Sequence, residues 1–477
     1  MIQKIRQNII PVLFILIFLF ALILRLVEIK KYSLWLDECI SVFFANKPLH
    51  ECLVSKFDVQ TLLFNVSLCF WVKLFGVSAI AVRYFSLIFG ILSVVLIYFV
   101  AEKLFKNKTV SLTAMFLFAI NPMCIHYSCE ARAYLLLCFG TIFSFYCLLN
   151  YLKNSNILNT ILYIVSAIIL LYTHSFGWIF LFIESLFALI LIIKTKGTAF
   201  IKNWIMSQLI ILAFASYIVY MVINGFNTMT TLVSWIKQPD LYIFLKTIYE
   251  LAGSDWFAKA LIVLALIYII TLIFRKIVRI EYPTSIILFL IIWIIFPLIL
   301  IYFYSTHYHS LFVTRYFIIC IPPMILLTSF VINDLLNNKI FKYSTIAIVA
   351  VLLLSKVNLN SDLSRTYYEP WEKICQDIKS HKSDKDIIVI EPYFKVFPFF
   401  YYYDRDYFDS DKNIFSNIST FNTYYFFYQK DFENTVKDIS GKSVWPIIYG
   451  SQTLSLGNKI YSYFSNNKKV IYEWYSS

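Results

Sequence analysis

Residues 32 to 44 read YSLWLDECISVFF, and in that run two adjacent carboxylates, Asp37 and Glu38, stand among apolar and aromatic neighbours. Neighbouring side chains diverge along a helix or strand, so the two acids cannot both face one reacting atom. One carboxylate enters a cavity and the other is held by its surroundings. An acid so placed can take a proton from an attacking hydroxyl as a general base. The blander alternative is a pair of solvated acids, which needs no special explanation. Trp35, Phe43 and Phe44 favour instead a segment lying in a membrane interface, where tryptophan anchors.

A second constellation is NPMCIHYSCEARAY, residues 121 to 134, in which Glu130 and Arg132 flank an alanine and Tyr134 follows. Such a stretch is either a local ion pair on a loop, often of small energetic worth, or an acid and a cation serving a charged substrate. Cys124, His126, Cys129 and Glu130 are all metal-ligand types. A zinc site needs about four ligands at defined spacing, however, and no second Cys/His pair lies near them. No resident cofactor is expected, and a divalent cation has no such ligand set to support it. LYTHSFG places His174 between two apolar stretches, where a lone histidine either caps a helix or serves a site. Trp235 in WIKQPDL is either a membrane anchor or substrate-facing. Arg315 in HSLFVTRYF either snorkels or binds an anion.

The elements that must position these residues are membrane helices. The 477 residues are 60% hydrophobic and 14% charged, with a mean hydropathy of +0.73. A soluble domain carries about 25% charged residues. Apolar blocks of roughly 17 to 25 residues ended by Lys or Arg mark transmembrane helices. Eleven spans are expected near 9–27, 82–102, 109–122, 133–151, 158–173, 176–193, 203–222, 258–274, 284–303, 312–332 and 343–356. Lys4 and Arg6 before the first block, with no small-residue cleavage site after it, predict a retained first span.

The net charge of +13 is spread as short clusters between apolar blocks. That is a topological pattern, not a nucleic-acid-binding stripe. EKLFKNK, Lys153, KTKGTAFIK, RKIVR and NNKIFK fall on one side, whereas Arg132, Lys237, Lys246, Lys259 and Arg315 lie on the other. By the positive-inside rule the N-terminus is cytoplasmic and the chain ends outside. Asp37, Glu38, Asp58, Glu130, Arg132, His174, Trp235, Asp255, His307, His309 and Arg315 are then external, as one site would require. Residues 1–356 form a membrane domain, and 357–477 a small external α/β domain. In the latter, PWEKICQDIKSHK and KIYSYFSNN read as helices, and DIIVIE, SVWPIIYG and KKVIYEWY as strands. Nine scattered cysteines do not make a disulfide framework, although one bridge among the outward ones is conceivable.

SLWLDECIS, FWVKLFG followed by VRYFSLIFG, INPMCIHYSCEARAYLL, LYTHSFG, SWI-x-x-P and RYFIICIPP, in that order over residues 9 to 325, resemble the GT-C class of membrane glycosyltransferases. Within that class the chain is similar to the bacterial family-39 proteins, related to protein O-mannosyltransferases and lipid A aminoarabinose transferases. EPWEKICQDIK resembles the start of their external domain. The resemblance implies a helical bundle of GT-C type in a bacterial cytoplasmic membrane. It implies a polyprenyl-phosphate sugar donor, a glycan, lipid or protein acceptor, and Asp37 as the catalytic aspartate with Glu38 as its partner. Attack by one base predicts inversion. Arg132 and Arg315, then His174, Tyr134 and Arg83, are the candidates to stabilise the leaving phosphate, with Glu130 orienting Arg132 or assisting the acceptor. One departure stands out. Family members carry His-Pro-Pro where this chain has Gln60, Thr61 and Leu62, so Asp58 or Gln60 is left to take the histidine's place.

The main rivals are a transporter or flippase of lipid-linked sugars and a non-catalytic scaffold. A transporter should show internal repeats and charge at the membrane midplane, and neither is visible in the sequence. A polymerase or ligase of surface polysaccharide differs from the preferred reading only in donor length.

Overall fold

A computed structural model describes residues 2–54, 62–195, 197–232, 236–263, 284–335, 338–357, 369–410, 414–415, 423–425 and 444–448. The chain divides into two units. One comprises Met1–Lys30, Leu53–Ser67 and Val82–Ser361, and the other Lys31–Cys52, Leu68–Ala81 and Asp362–Ser477.

The first unit is built of apolar helices, and the protein is an integral membrane protein. Seven helices are long and apolar enough to cross a bilayer: Ile9–Glu28, Ala79–Phe105, Tyr134–Lys153, Ser175–Lys194, Thr198–Met221, Ser285–His307 and Thr314–Asp334. The pair Lys108–Ala119 and Pro122–Ser128, bent by 59°, makes an eighth if it is one span. Full-length spans among the described residues are therefore fewer than the eleven expected. The stretches near 158–173 and 343–356 form helices of only 17 and 16 residues, Ile157–Thr173 and Lys339–Leu354. Most of the one near 258–274 lies outside the described residues.

Burial sorts the spans. Only 11% of the first span's apolar window is buried, against 78% for Thr314–Asp334. The first therefore offers most of its surface to lipid, whereas the last fills the centre. Aromatic rings make much of that centre, as where Phe145 stacks on Phe289 and meets Trp293 edge-on. A buried acid, Glu184, joins two spans by accepting the Ser144 hydroxyl proton at 2.8 Å.

The second unit carries a parallel three-stranded sheet in the order β2-β1-β3, with β1 Ile387–Glu391, β2 Thr423–Tyr425 and β3 Val444–Ile448. Ile388 pairs with Thr423, and Ile387 with Val444. All five β1 residues are buried, which is why DIIVIE shows no polar alternation. The expected helix over PWEKICQDIKSHK is Trp371–His381. β2 was not foreseen, and KIYSYFSNN and KKVIYEWY lie outside the described residues. This unit also holds the helix Leu36–Ala45. Phe43 packs edge-on against Phe397 and Phe408, and the Leu34 N–H donates to the Tyr402 hydroxyl at 2.6 Å.

Candidate active site

In the membrane unit the polar residues are set by breaks in helices. Asn121 caps Pro122–Ser128 by accepting the Cys124 N–H at 3.0 Å, and Pro122 fits the first turn because its missing N–H would be unpaired there. The bend turns the chain toward Arg25 of the first span. Arg25 is fully buried and donates to Ser128 Oγ at 3.0 Å and to the carbonyls of Ala21 and Ala119 at 3.1 and 3.0 Å. A Cβ at Gly90 would lie 2.1 Å from Ser128 Oγ, so glycine is needed for that approach. The segment so fastened runs on to Glu130, Arg132 and Tyr134, with the Arg132 carbonyl accepting the Ser86 hydroxyl proton at 3.2 Å.

His174 sits in extended backbone between Ile157–Thr173 and Ser175–Thr195. Its Nδ1 accepts the Phe176 N–H at 3.2 Å, which caps the second helix and leaves the ring proton on Nε2 of the neutral form. Arg315 lies on a 3-10 turn, Thr314–Cys320. Pro322 and Pro323 follow it and cannot donate backward, which favours the tighter turn ahead of them.

These breaks converge within the unit. The guanidinium carbons of Arg132 and Arg315 lie 6.0 and 5.8 Å from the centre of one ring, that of Tyr134. Arg315 is also 5.8 Å from the Tyr316 ring, and that ring is 5.0 Å from His174. Tyr134, His174 and Arg315 are 2%, 2% and 6% exposed. Burial, and then the charges of Arg132 and Arg315, push the His174 imidazole down to about 3. It stays neutral and offers a hydrogen bond, not a charge. Beside the cluster, Glu130 stands 3.5 Å from His126 Nε2. Arg83, equally buried, donates to the Ile29 carbonyl at 3.1 Å and so braces the end of the first span. Among the described residues no group of three His, Cys, Asp or Glu is placed to hold a metal ion.

Asp37 and Glu38 belong to the second unit, in the first turn of Leu36–Ala45, where acids suit the helix dipole. Their side chains part as expected. Glu38 is fully buried and accepts the Trp35 N–H at 3.4 Å, closing the turn. Asp37 keeps partial exposure. Lys395, 2% exposed, forms an ion pair with Glu369, which also accepts the Trp371 indole N–H. Burial pushes the Lys395 ammonium below its usual range, and Glu369 and then Asp37 oppose that shift. Asp37 is thus within the electrostatic reach of a buried lysine.

The structure brings together Arg132, Tyr134, His174 and Arg315 in the membrane unit, with Glu130 and Arg83 on neighbouring turns. It places Asp37 and Glu38 in the other unit. Asp58, Gln60 and Trp235 lie outside the described residues, and Asp255, His307 and His309 are exposed. Sequence reasoning missed Lys395, Glu369, Tyr316 and the bracing role of Arg25. The available signal was a lone basic residue in an apolar run, in FALILRLVE and in YFKVFPFF.

The fold resembles that of ArnT from Cupriavidus metallidurans. The apo crystal structure aligns at TM-score 0.55 and 12% identity over 82% of this chain and 84% of that one. The form bound to undecaprenyl phosphate aligns at TM-score 0.56 with the same identity and coverage. The apo oligosaccharyltransferase of Archaeoglobus fulgidus aligns at TM-score 0.51 and 11% identity over 83% of this chain and 64% of that one. The chain has a GT-C fold. No protein-family model matches it, and neither does any curated protein. The GT-C fold, a helical membrane body with a small α/β unit, is the architecture that the ordered motifs implied.

Proposed function

We propose that the protein is an inverting glycosyltransferase that moves a sugar from a polyprenyl-phosphate donor to an acceptor on the outer face of a bacterial cytoplasmic membrane. The observation that carries this reading is the cationic cluster of a GT-C fold. Two guanidinium groups crowd one buried tyrosine beside a histidine held neutral. Two guanidinium forks turned to one ring, beside an imidazole N–H, are donors suited to an anion. A lipid-borne phosphate supplies that anion, and its tail suits a helical unit with lipid-facing spans.

The chemistry divides by role. Asp37, partly exposed where Glu38 is buried, takes the proton of the acceptor hydroxyl as that oxygen attacks the anomeric carbon. The anomeric C–O bond to phosphate breaks with the electron pair leaving on the phosphate. Arg132 and Arg315 stabilise the growing charge, while the Tyr134 hydroxyl and the His174 N–H serve as donors. One displacement without a covalent sugar–enzyme intermediate inverts the anomeric centre. The reading uses no resident metal. On this reading the N-terminus is cytoplasmic, and residues 31–81 and the α/β unit are external, as the basic clusters between spans favour.

Native mass spectrometry of wild type and Asp37→Asn, extracted with their own lipids, tests this reading. A polyprenyl-phosphate monosaccharide retained on the variant supports it. A long lipid-linked oligosaccharide on both proteins would move the assignment to a polymerase, ligase or flippase, and bulk phospholipid alone would favour a scaffold.

A further inference from the structure

Two cysteines of the second unit stand apart from the proposed chemistry. Cys52, in the helix Leu49–Val54, and Cys69, in the helix Leu62–Phe75, bring their sulfurs to 2.8 Å. That is within about 1 Å of the roughly 2.05 Å of a bonded pair. Both side chains are buried, at 4% and 0% exposure. Carbonyl oxygens stand near both, those of Phe44 and Lys47 at 3.2 and 3.5 Å from the Cys52 sulfur, and of Lys47 at 3.8 Å from that of Cys69, with the Lys73 ammonium donating to the Lys47 carbonyl at 3.2 Å. The two cysteines bracket residues 53–68, which include Asp58 and Gln60. Cys39 and Cys375 of the same unit direct their sulfurs at the carbonyls of Leu34 and Phe399.

We propose that Cys52 and Cys69 are joined by a disulfide in the protein as it sits in its membrane, closing residues 53–68 into a covalent loop. The oxidant is a disulfide of the exocytoplasmic compartment, R–S–S–R. One cysteine thiolate attacks a sulfur of that disulfide and expels RS⁻, giving a mixed disulfide. The second cysteine then attacks its partner's sulfur and expels the other RS⁻. The two thiol protons end on the two RSH products, so two protein thiols are oxidised and one external disulfide is reduced.

Timing follows from burial. Burial, and then the shared proton with Cys69, push the Cys52 thiol up to about 12. A thiol so reluctant to ionise exchanges slowly once the fold has closed. The bond therefore forms while the chain is folding and is kept afterwards, as a fastening and not a switch. Its effect is to tie together the helices that carry Cys52 and Cys69, since a cross-link removes conformations from the unfolded chain. The proposal rests on the outward placement of residues 31–81, and not on the transfer reaction.

The test is differential thiol labelling of the full-length protein taken directly from membranes. Free thiols are blocked with N-ethylmaleimide in detergent denaturant without reductant; the sample is then reduced, and newly exposed thiols take up iodoacetamide. Peptide mapping should find the second label on Cys52 and Cys69 and the first on Cys39 and Cys375. Unreduced digests should contain the cross-linked peptide pair, lighter by two hydrogens than the sum of its parts. In Cys52→Ser, Cys69 should move to the first label while Cys39 and Cys375 stay unchanged. The first label on both Cys52 and Cys69 of the wild type would overturn the proposal. Because this readout is a mass and not a rate, it stands or falls separately from the glycosyltransferase reading.

Discussion

In the second unit a buried lysine, Lys395, is matched by Glu369, with Asp37 within electrostatic reach. In the membrane unit two arginines are drawn to one tyrosine ring, and the histidine beside them is kept neutral by burial and by their charges. The first arrangement satisfies itself: attraction between the partners offsets the cost of taking them from water. The second gathers two cations and a neutral imidazole around buried aromatic rings. On the proposed reading, the difference separates a part that holds a base in place from a part that receives the donor phosphate.

The contrast can be broken, most sharply at the base. Asp37→Asn should lower the rate of transfer by roughly 10²–10⁴-fold while donor affinity stays within a few-fold of wild type. Single-turnover transfer and equilibrium donor binding, measured on the same preparation, check this. If Asp37→Asn lost binding and rate together, the base assignment would fail.

Next comes the matched pair. Lys395→Met leaves Glu369 buried with its charge unanswered and should cost about 3–5 kcal/mol of stability. The double variant Lys395→Met/Glu369→Leu should recover most of that loss, because both charges are gone. Thermal unfolding in detergent reads both. A double variant as unstable as the single one would show that packing, and not charge, is what Lys395 supplies.

The arginine cluster should respond differently. Arg315→Gln and Arg132→Gln each remove a charged donor, worth roughly 1.5–3 kcal/mol to a phosphate, and should weaken donor binding by about 10–100-fold. The loss is expected in donor affinity, with unfolding midpoints of the ligand-free protein measured alongside. Loss of stability without loss of donor affinity would remove the phosphate role.

The smallest effect is a pH slope. His174 titrates near 3 in the fold and near 6.5 in an unfolded chain. The unfolded state takes a proton that the native state refuses, so stability is full above about pH 6.5 and falls as pH drops toward 3. The slope from this one group is at most about 1.4 kcal/mol per pH unit. His174→Asn should flatten it, and a phosphate bound between the arginines should shrink it. Unfolding midpoints at several acidic pH values, with and without polyprenyl phosphate, make the comparison.

The sequence announced some of these features and hid others for physical reasons. Membrane spans, the divergence of Asp37 from Glu38, and the β1 strand were legible because apolar runs and adjacent side chains obey local rules. Span length was less legible, since Ile157–Thr173 and Lys339–Leu354 are apolar yet short. The convergence of Arg132, Arg315 and His174 on the rings of Tyr134 and Tyr316 depends on three separate helix breaks, and no single window of sequence contains it. Lys395 and Glu369 are 26 residues apart, and their pairing depends on tertiary packing that neither the YFK nor the EPW stretch reveals alone. The approach of Cys52 to Cys69 was hidden in the same way, because Cys69 reads locally as a small hydrophobe in an apolar helix.

The central claim is that this GT-C fold transfers a sugar from a lipid phosphate. The direct measurement is release of free polyprenyl phosphate from synthetic polyprenyl-phosphate monosaccharides by the purified wild-type protein, in membranes supplied with an envelope-lipid and glycan extract as acceptor. The account predicts release from at least one such donor, with the sugar recovered on the acceptor in inverted configuration and no release by Asp37→Asn. Donors bound by the wild type but left intact across hexose and pentose series, or a product that retains the donor's anomeric configuration, would contradict it.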